Sequence, residues 1–105
     1  KIGVLLEVNS ETDFVARNEE FIKFSSDAAL HIAAMNPEYI KRDDVPQEIL
    51  KEQADPDAFY KTSCLMEQSF VRDPSLTMQD YLNSIVAKVG ENIVVRRFVR
   101  FQLGR

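Results

Sequence analysis

The sequence is short of the side chains from which most enzymes and metal sites are built. Its 105 residues include one histidine, His31, and one cysteine, Cys64. A zinc site needs several Cys or His ligands at defined spacing, and one of each is too few. No nucleophile-elbow motif surrounds Cys64 to support a Cys–His nucleophilic pair, so a buried, inert thiol is the simpler reading. A lone cysteine makes no internal disulfide and demands no oxidising compartment. Three glycines, Gly3, Gly90 and Gly104, leave no loop to cradle phosphates. No apolar run approaches the roughly 20 residues that cross a bilayer, and no membrane partner is expected. Nothing near Lys1 has the pattern of a signal peptide. The formal net charge of -4 is not that of a general nucleic-acid binder.

What is present is an ordinary globular balance, with 45% hydrophobic and 29% charged residues. That is enough for one modest core, read as a single domain over residues 1–105. Ile2, Val4, Leu6 and Val8 share one face at the period of a strand over residues 2–8. Asn9-Ser10-Glu11-Thr12-Asp13 then interrupts with turn and cap formers. Asn18 is placed to cap a helix running to about Met35, with Phe21, Phe24 or Ser25, Ala28, Ile32 and Met35 at helical spacing. Asn36-Pro37 ends it. Asp44-Val45-Pro46 and Asp55-Pro56-Asp57 each signal a helix start, the second helix extending to about Met66. Capping accounts for the acidic pairs Asp43-Asp44 and Asp55-Pro56-Asp57. Residues 69–75 read as a loop. Thr77 with Asp80 has the form of a capping box before the stripe Met78, Tyr81, Leu82, Ile85, Val86 and Val89, and Gly90 is placed to stop that helix. Two strands at the chain ends with helices between them predict an α+β fold. It would be a small antiparallel sheet, with strands near 2–8 and 92–103 and helices packed on one face. Two strands alone make a poor sheet. The chain opens directly in strand-like sequence without an initiator methionine, so a third strand and a longer or processed chain are expected.

Two segments carry functional interest. Arginine interleaved with aromatics over Arg96–Phe101 is the layout that RNA-binding sheets use to stack bases and hold phosphates. Strict alternation, however, places Val99 and Phe101 beside the core residues Ile93 and Val95, with Arg96, Phe98 and Arg100 opposite. A sheet strand with solvated or paired arginines fits equally, and an RNA-binding module stands as the alternative. The second segment is Glu11-Thr12-Asp13-Phe14-Val15-Ala16-Arg17, where a phenylalanine follows directly on a polar turn. Either Phe14 folds back on the core as a helix-entry staple, or the turn offers an aromatic wedge beside a carboxylate to a partner. The residues alone leave both open.

The stretch from Leu6 to Arg17, Leu-Glu-Val-Asn-Ser-Glu-Thr-Asp-Phe-Val-Ala-Arg, resembles the signature of the elongation factor Ts family, which usually carries cysteine or serine where Ser10 stands. Three further stretches are similar to that family and follow its order. They are His31 to Pro37, Glu67 to Ser75, and Gly90 to Phe101. The resemblance implies a guanine-nucleotide exchange factor for elongation factor Tu, neither an enzyme nor the holder of a metal or cofactor. In the family the Thr-Asp-Phe turn intrudes near the partner's magnesium and phosphate site. That implies partner-binding roles for Thr12, Asp13 and Phe14, with Val15 behind them. It also implies that His31 helps contact the GTPase away from the nucleotide, unless it is tucked against the sheet. The arginine strand becomes framework, so no direct nucleic-acid partner is expected. Some compact members dimerise, which leaves room for a homodimer. A bacterial cytoplasm, a plastid stroma or a mitochondrial matrix would each suit such a factor.

Two departures stand out. The family normally begins with a small helical module and a further strand before the Lys1 position. Most members also carry a long helical hairpin between the segments matching Ile49-Leu50 and Cys64-Leu65, where this chain has only about a dozen residues.

Overall fold

The computed structural model describes residues 1–104. In chain order its elements are β1 (Ile2–Ser10), α1 (Asp13–Ala16), α2 (Glu19–Met35), α3 (Gln47–Lys51), α4 (Pro56–Ser63), β2 (Ser69–Phe70), β3 (Asp73–Thr77), α5 (Met78–Val89) and β4 (Ile93–Gln102). Short 3-10 turns occupy Arg42–Asp44 and Leu65–Glu67. The fold is α+β, as the order of periodicities predicts.

The start and stop signals act locally and can be checked one by one. Asn18 caps α2 through its side-chain oxygen, which accepts from the Glu20 and Phe21 amides. Asn36 ends that helix in the left-handed region at φ 50, a conformation that asparagine tolerates better than most residues. Thr77 and Asp80 form the reciprocal capping box of α5, and Gly90 closes it at φ 76. Asp55 caps α4. Asp44 differs from expectation: it does not cap α3, and its carboxylate instead accepts from the Lys41 amide to close the 3-10 turn before it. The α4 helix also stops at Ser63 rather than near Met66, because the chain turns into the 3-10 segment that carries Leu65 into the core.

The core lies between α2, α5 and the inner face of the β1–β4 sheet. Phe24, Ala28 and Ile32 from α2 meet Met78, Leu82 and Ile85 from α5, with Leu65, Phe70, Ile93 and Val95 closing it. Phe24 and Tyr81 pack edge to face at 5.0 Å between ring centroids, the favoured quadrupolar arrangement. Val4, Leu6 and Val8 cover the core from β1.

The strict alternation predicted for the last strand does not hold. β1 and β4 run antiparallel, with Val8 opposite Val95 but Glu7 opposite Arg97, so Arg96 is an extra residue in β4. A bulge of this kind inverts the facing of everything beyond it. Ile93 and Val95 therefore point inward before the bulge and Phe98 after it, whereas Val99 and Phe101 turn out to the exposed face. Arg100, on the inward side, donates to the Ala33 carbonyl at 3.0 and 3.3 Å. That carbonyl belongs to the last turn of α2, where no intrahelical donor remains and a cation is favoured. Among the described residues, β1 and β4 are the whole of this sheet.

The stretch 69–75, read as a loop, is instead a small hairpin of β2 and β3. Its strands are too short and polar for a period-two pattern. The buried anchors that hold it come from α2.

Candidate functional site

The turn after β1 is assembled by hydrogen bonds from two directions. From within, the Thr12 hydroxyl accepts from the Val15 amide at 3.5 Å as the N-cap of α1, and the Ser10 hydroxyl donates to the Thr12 carbonyl at 2.8 Å. From across the molecule, Glu91 in the α5–β4 connection reaches back to it. One Glu91 oxygen accepts the Glu11 and Thr12 amides at 3.2 and 3.1 Å. The other accepts the Thr12 hydroxyl at 2.6 Å. Glu11 reciprocates, its carboxylate accepting from the Asn92 amide at 3.1 Å. Hydrogen bonds to an ionised acceptor are the stronger kind, and here they link two segments 80 residues apart.

The four residues of the turn consequently divide into two pairs. Thr12 spends its hydroxyl on Glu91 and Val15, and Val15 is buried at 7% exposure in the core. Asp13 faces solvent, and Phe14 is 86% exposed. The staple reading for Phe14 is thereby excluded in this conformation. A rigidly backed turn holds up a phenylalanine that touches almost nothing of its own chain.

His31 lies in the C-terminal half of α2 and is fully buried. The Val71 amide donates to its Nδ1 at 3.2 Å, which leaves the proton on Nε2 to donate to Gln68 Oε1 at 2.8 Å. Gln68 Nε2 donates in turn to the Thr62 carbonyl at 2.8 Å. Burial pushes the His31 pKa below the usual histidine value, partly opposed by the Gln68 bond. Beside it, Asp27 is buried within α2 and accepts from the Tyr81 hydroxyl and from Lys23. Arg72, at the hairpin tip, approaches Asp27 to 3.6 Å. Burial alone would raise the Asp27 carboxyl, but the Lys23 and Tyr81 bonds hold it below the usual range. Burial and the Asp27 bond push Tyr81 up to about 12. His31 and Asp27 together fasten the β2–β3 hairpin to α2, and the turn at Phe14 lies apart from them.

The remaining candidates are absorbed by the framework. Burial pushes the Cys64 thiol up, away from the thiolate a nucleophile needs, and both His31 nitrogens are already engaged. Among the described residues no three His, Cys, Asp or Glu side chains gather as metal ligands, and no helix is long and apolar enough to cross a membrane. In the arginine strand, Arg97 pairs with Glu7 at 2.7 Å and Arg100 binds α2. Phe98 packs on the core, so the strand does not present a row of stacking aromatics.

Sequence comparison supplies independent context. Residues 23–56 and 55–105 match the profile of the family described as Elongation factor TS. An elongation factor Ts of Caldanaerobacter subterraneus subsp. tengcongensis is 45% identical over 127 aligned residues, covering 99% of this chain and 64% of that protein. One from Thermoanaerobacter pseudethanolicus is 49% identical, with 99% and 62% covered. One from Thermodesulfovibrio yellowstonii is 43% identical, with 100% and 64% covered. The chain thus spans under two thirds of the length of these relatives. The aligned stretches are longer than the chain itself, and the profile match breaks at residues 55 and 56. The two matched segments meet at the start of α4, in the region where this chain has few residues between α3 and α4.

Proposed function

This chain belongs to the elongation factor Ts family, and on that footing we propose that it binds elongation factor Tu and speeds the release of GDP from it. The observation that carries the proposal is Phe14, 86% exposed on a turn backed by a buried valine and a bridging carboxylate. An apolar ring so displayed gains most when a partner buries it, about 1.5–3 kcal/mol for a phenylalanine. In the proposed complex Phe14 enters a pocket of the GTPase beside the elements that hold magnesium and the nucleotide phosphates. Displacing those elements weakens the hold on a cation that neutralises the phosphates, so GDP leaves faster. Asp13 stands next to Phe14 and offers a carboxylate to the same polar network. Thr12 and Val15 contribute by setting the shape of the turn. His31 contributes through the hairpin that it fastens. No bond is made or broken, and factor and nucleotide lower each other's affinity by the same factor.

The test is the release rate of a fluorescent GDP analogue from elongation factor Tu, with the intact chain and with Phe14→Ala. Acceleration by the first and its loss in a folded second supports the reading; no acceleration by the intact chain overturns it.

A homodimer is the second part of the proposal. The outer face of the β1–β4 sheet exposes Leu5, Val99 and Phe101 beside the Glu7–Arg97 ion pair. A two-fold axis through this face would bury the apolar patch of both copies against each other. Sedimentation equilibrium should show a dimer that Leu5→Glu dissociates, and a monomer at all concentrations would contradict it.

A further inference from the structure

The geometry points to Glu91 as the positioning residue of the Phe14 turn, an inference that rests on the exchange reading above. Glu91 lies in the connection leaving α5, on the far side of the sequence from the turn. Its carboxylate nonetheless accepts three hydrogen bonds from the turn, from the Glu11 amide, the Thr12 amide and the Thr12 hydroxyl, at 3.2, 3.1 and 2.6 Å. The bond from the Asn92 amide to Glu11 locks the same two segments in the opposite direction. Without Glu91 the Glu11 and Thr12 amides would turn to water, and the Thr12 hydroxyl would lose its acceptor while still capping Val15. The turn would then keep its local cap and the Asn92–Glu11 bond but lose three of the hydrogen bonds that fix it against the α5–β4 connection. Phe14 makes almost no contact with its own chain, so its direction depends on the backbone that Glu91 holds. A wedge must arrive in a defined position, because a shift of about 1 Å in a group that acts by fit has large consequences. Glu91 therefore governs exchange without touching the partner's nucleotide site.

A two-by-two comparison of Glu91→Ala and Phe14→Ala tests this, read as GDP-analogue release from elongation factor Tu. If Glu91 acts through Phe14, Glu91→Ala should lower the acceleration on the order of tenfold in the unmodified background and less than about twofold once Phe14 is gone. Glu91→Gln keeps an oxygen for the two amides and should restore most of the loss. Amide hydrogen exchange gives a readout independent of the partner: Thr12 should exchange about tenfold faster or more in Glu91→Ala, with the core amides of α2 and α5 unchanged. Equal losses in both backgrounds would overturn the inference, as would full acceleration by Glu91→Ala while Phe14→Ala is inactive; the exchange reading would survive either. Full acceleration by Phe14→Ala would defeat the Phe14 wedge and this inference with it, whereas no acceleration by the intact chain would defeat the exchange reading itself.

Discussion

The two ends of α2 illustrate opposite uses of a polar network. At the N-terminal end, hydrogen bonds from Thr12 and Glu91 stiffen a backbone so that Phe14 and Asp13 can be left outside. At the other end, the network of His31, Gln68 and Val71 is turned inward, and its histidine is lost to solvent altogether. Both ends belong to stretches that are similar to the same family, so similarity of sequence does not separate display from fastening. Exposure does. A displayed residue is expected to cost little stability and much function when removed, and a fastening residue to do the reverse.

The sharpest way to break this contrast is at His31. His31→Ala should cost about 2–4 kcal/mol of unfolding free energy, combining a cavity with an unpaired Val71 amide and Gln68 carbonyl. Urea denaturation measures it. Exchange per folded molecule should fall less than in Phe14→Ala. A stability loss under about 0.5 kcal/mol, the range of an ordinary surface change, would show that the inward network fastens nothing. Tyr81→Phe should cost less, about 0.5–1.5 kcal/mol, because Asp27 keeps Lys23 and Arg72 when the hydroxyl is gone. The same denaturation series checks it, and exchange should not respond.

The pH dependence separates these two buried groups. The folded pKa of His31 lies below its ordinary value of 6.5, so below that pH the unfolded chain binds a proton that the folded chain refuses. Stability should therefore be fully present above about pH 6.5 and decline as pH falls toward the folded value. Protonated Nδ1 would set a second N–H against the Val71 amide. The Asp27 contribution is lost only lower, below the ordinary 3.8. Unfolding curves at pH 7.5 and 5.5 should thus differ for the unmodified chain. The difference should shrink in His31→Gln, and its persistence there would move the origin elsewhere. The smallest effect belongs to Asp13→Asn. A charge at the rim of a contact mainly changes association rate and salt dependence, so this variant should alter the salt slope of complex formation in stopped flow more than the plateau rate of GDP release.

How much of this was legible beforehand depended on whether the signal was local. The caps at Asn18, Asp55 and Thr77, the stops at Asn36 and Gly90, and the α2 and α5 stripes rest on residues three or four apart, and the structure follows them. The β4 bulge did not show, because nothing in Val94-Val95-Arg96-Arg97 marks which residue is extra. That choice is made by pairing with β1, almost the whole chain away. The β2–β3 hairpin was missed for the same kind of reason, since its anchors are His31 and Asp27 on another element. At the turn, the oddity of Phe14 after a polar run was visible, but its orientation was not. Glu91 stands in a stretch similar to the family, but nothing marked its role, because a carboxylate after a helix-ending glycine is ordinary until Glu11 and Thr12 are brought against it.

The measurement that bears most directly on the division between display and fastening pairs two quantities on two variants. GDP-analogue release from elongation factor Tu at saturating factor, and urea-unfolding free energy, would be determined for Phe14→Ala and His31→Ala beside the unmodified chain. For Phe14→Ala we predict a loss of acceleration of about 10- to 100-fold, the equivalent of burying one phenylalanine, with stability within about 0.5 kcal/mol of the parent. His31→Ala should show the reverse pattern. If Phe14→Ala retained its acceleration, or lost it only in proportion to its loss of folded protein, the turn would not be the site through which this chain acts.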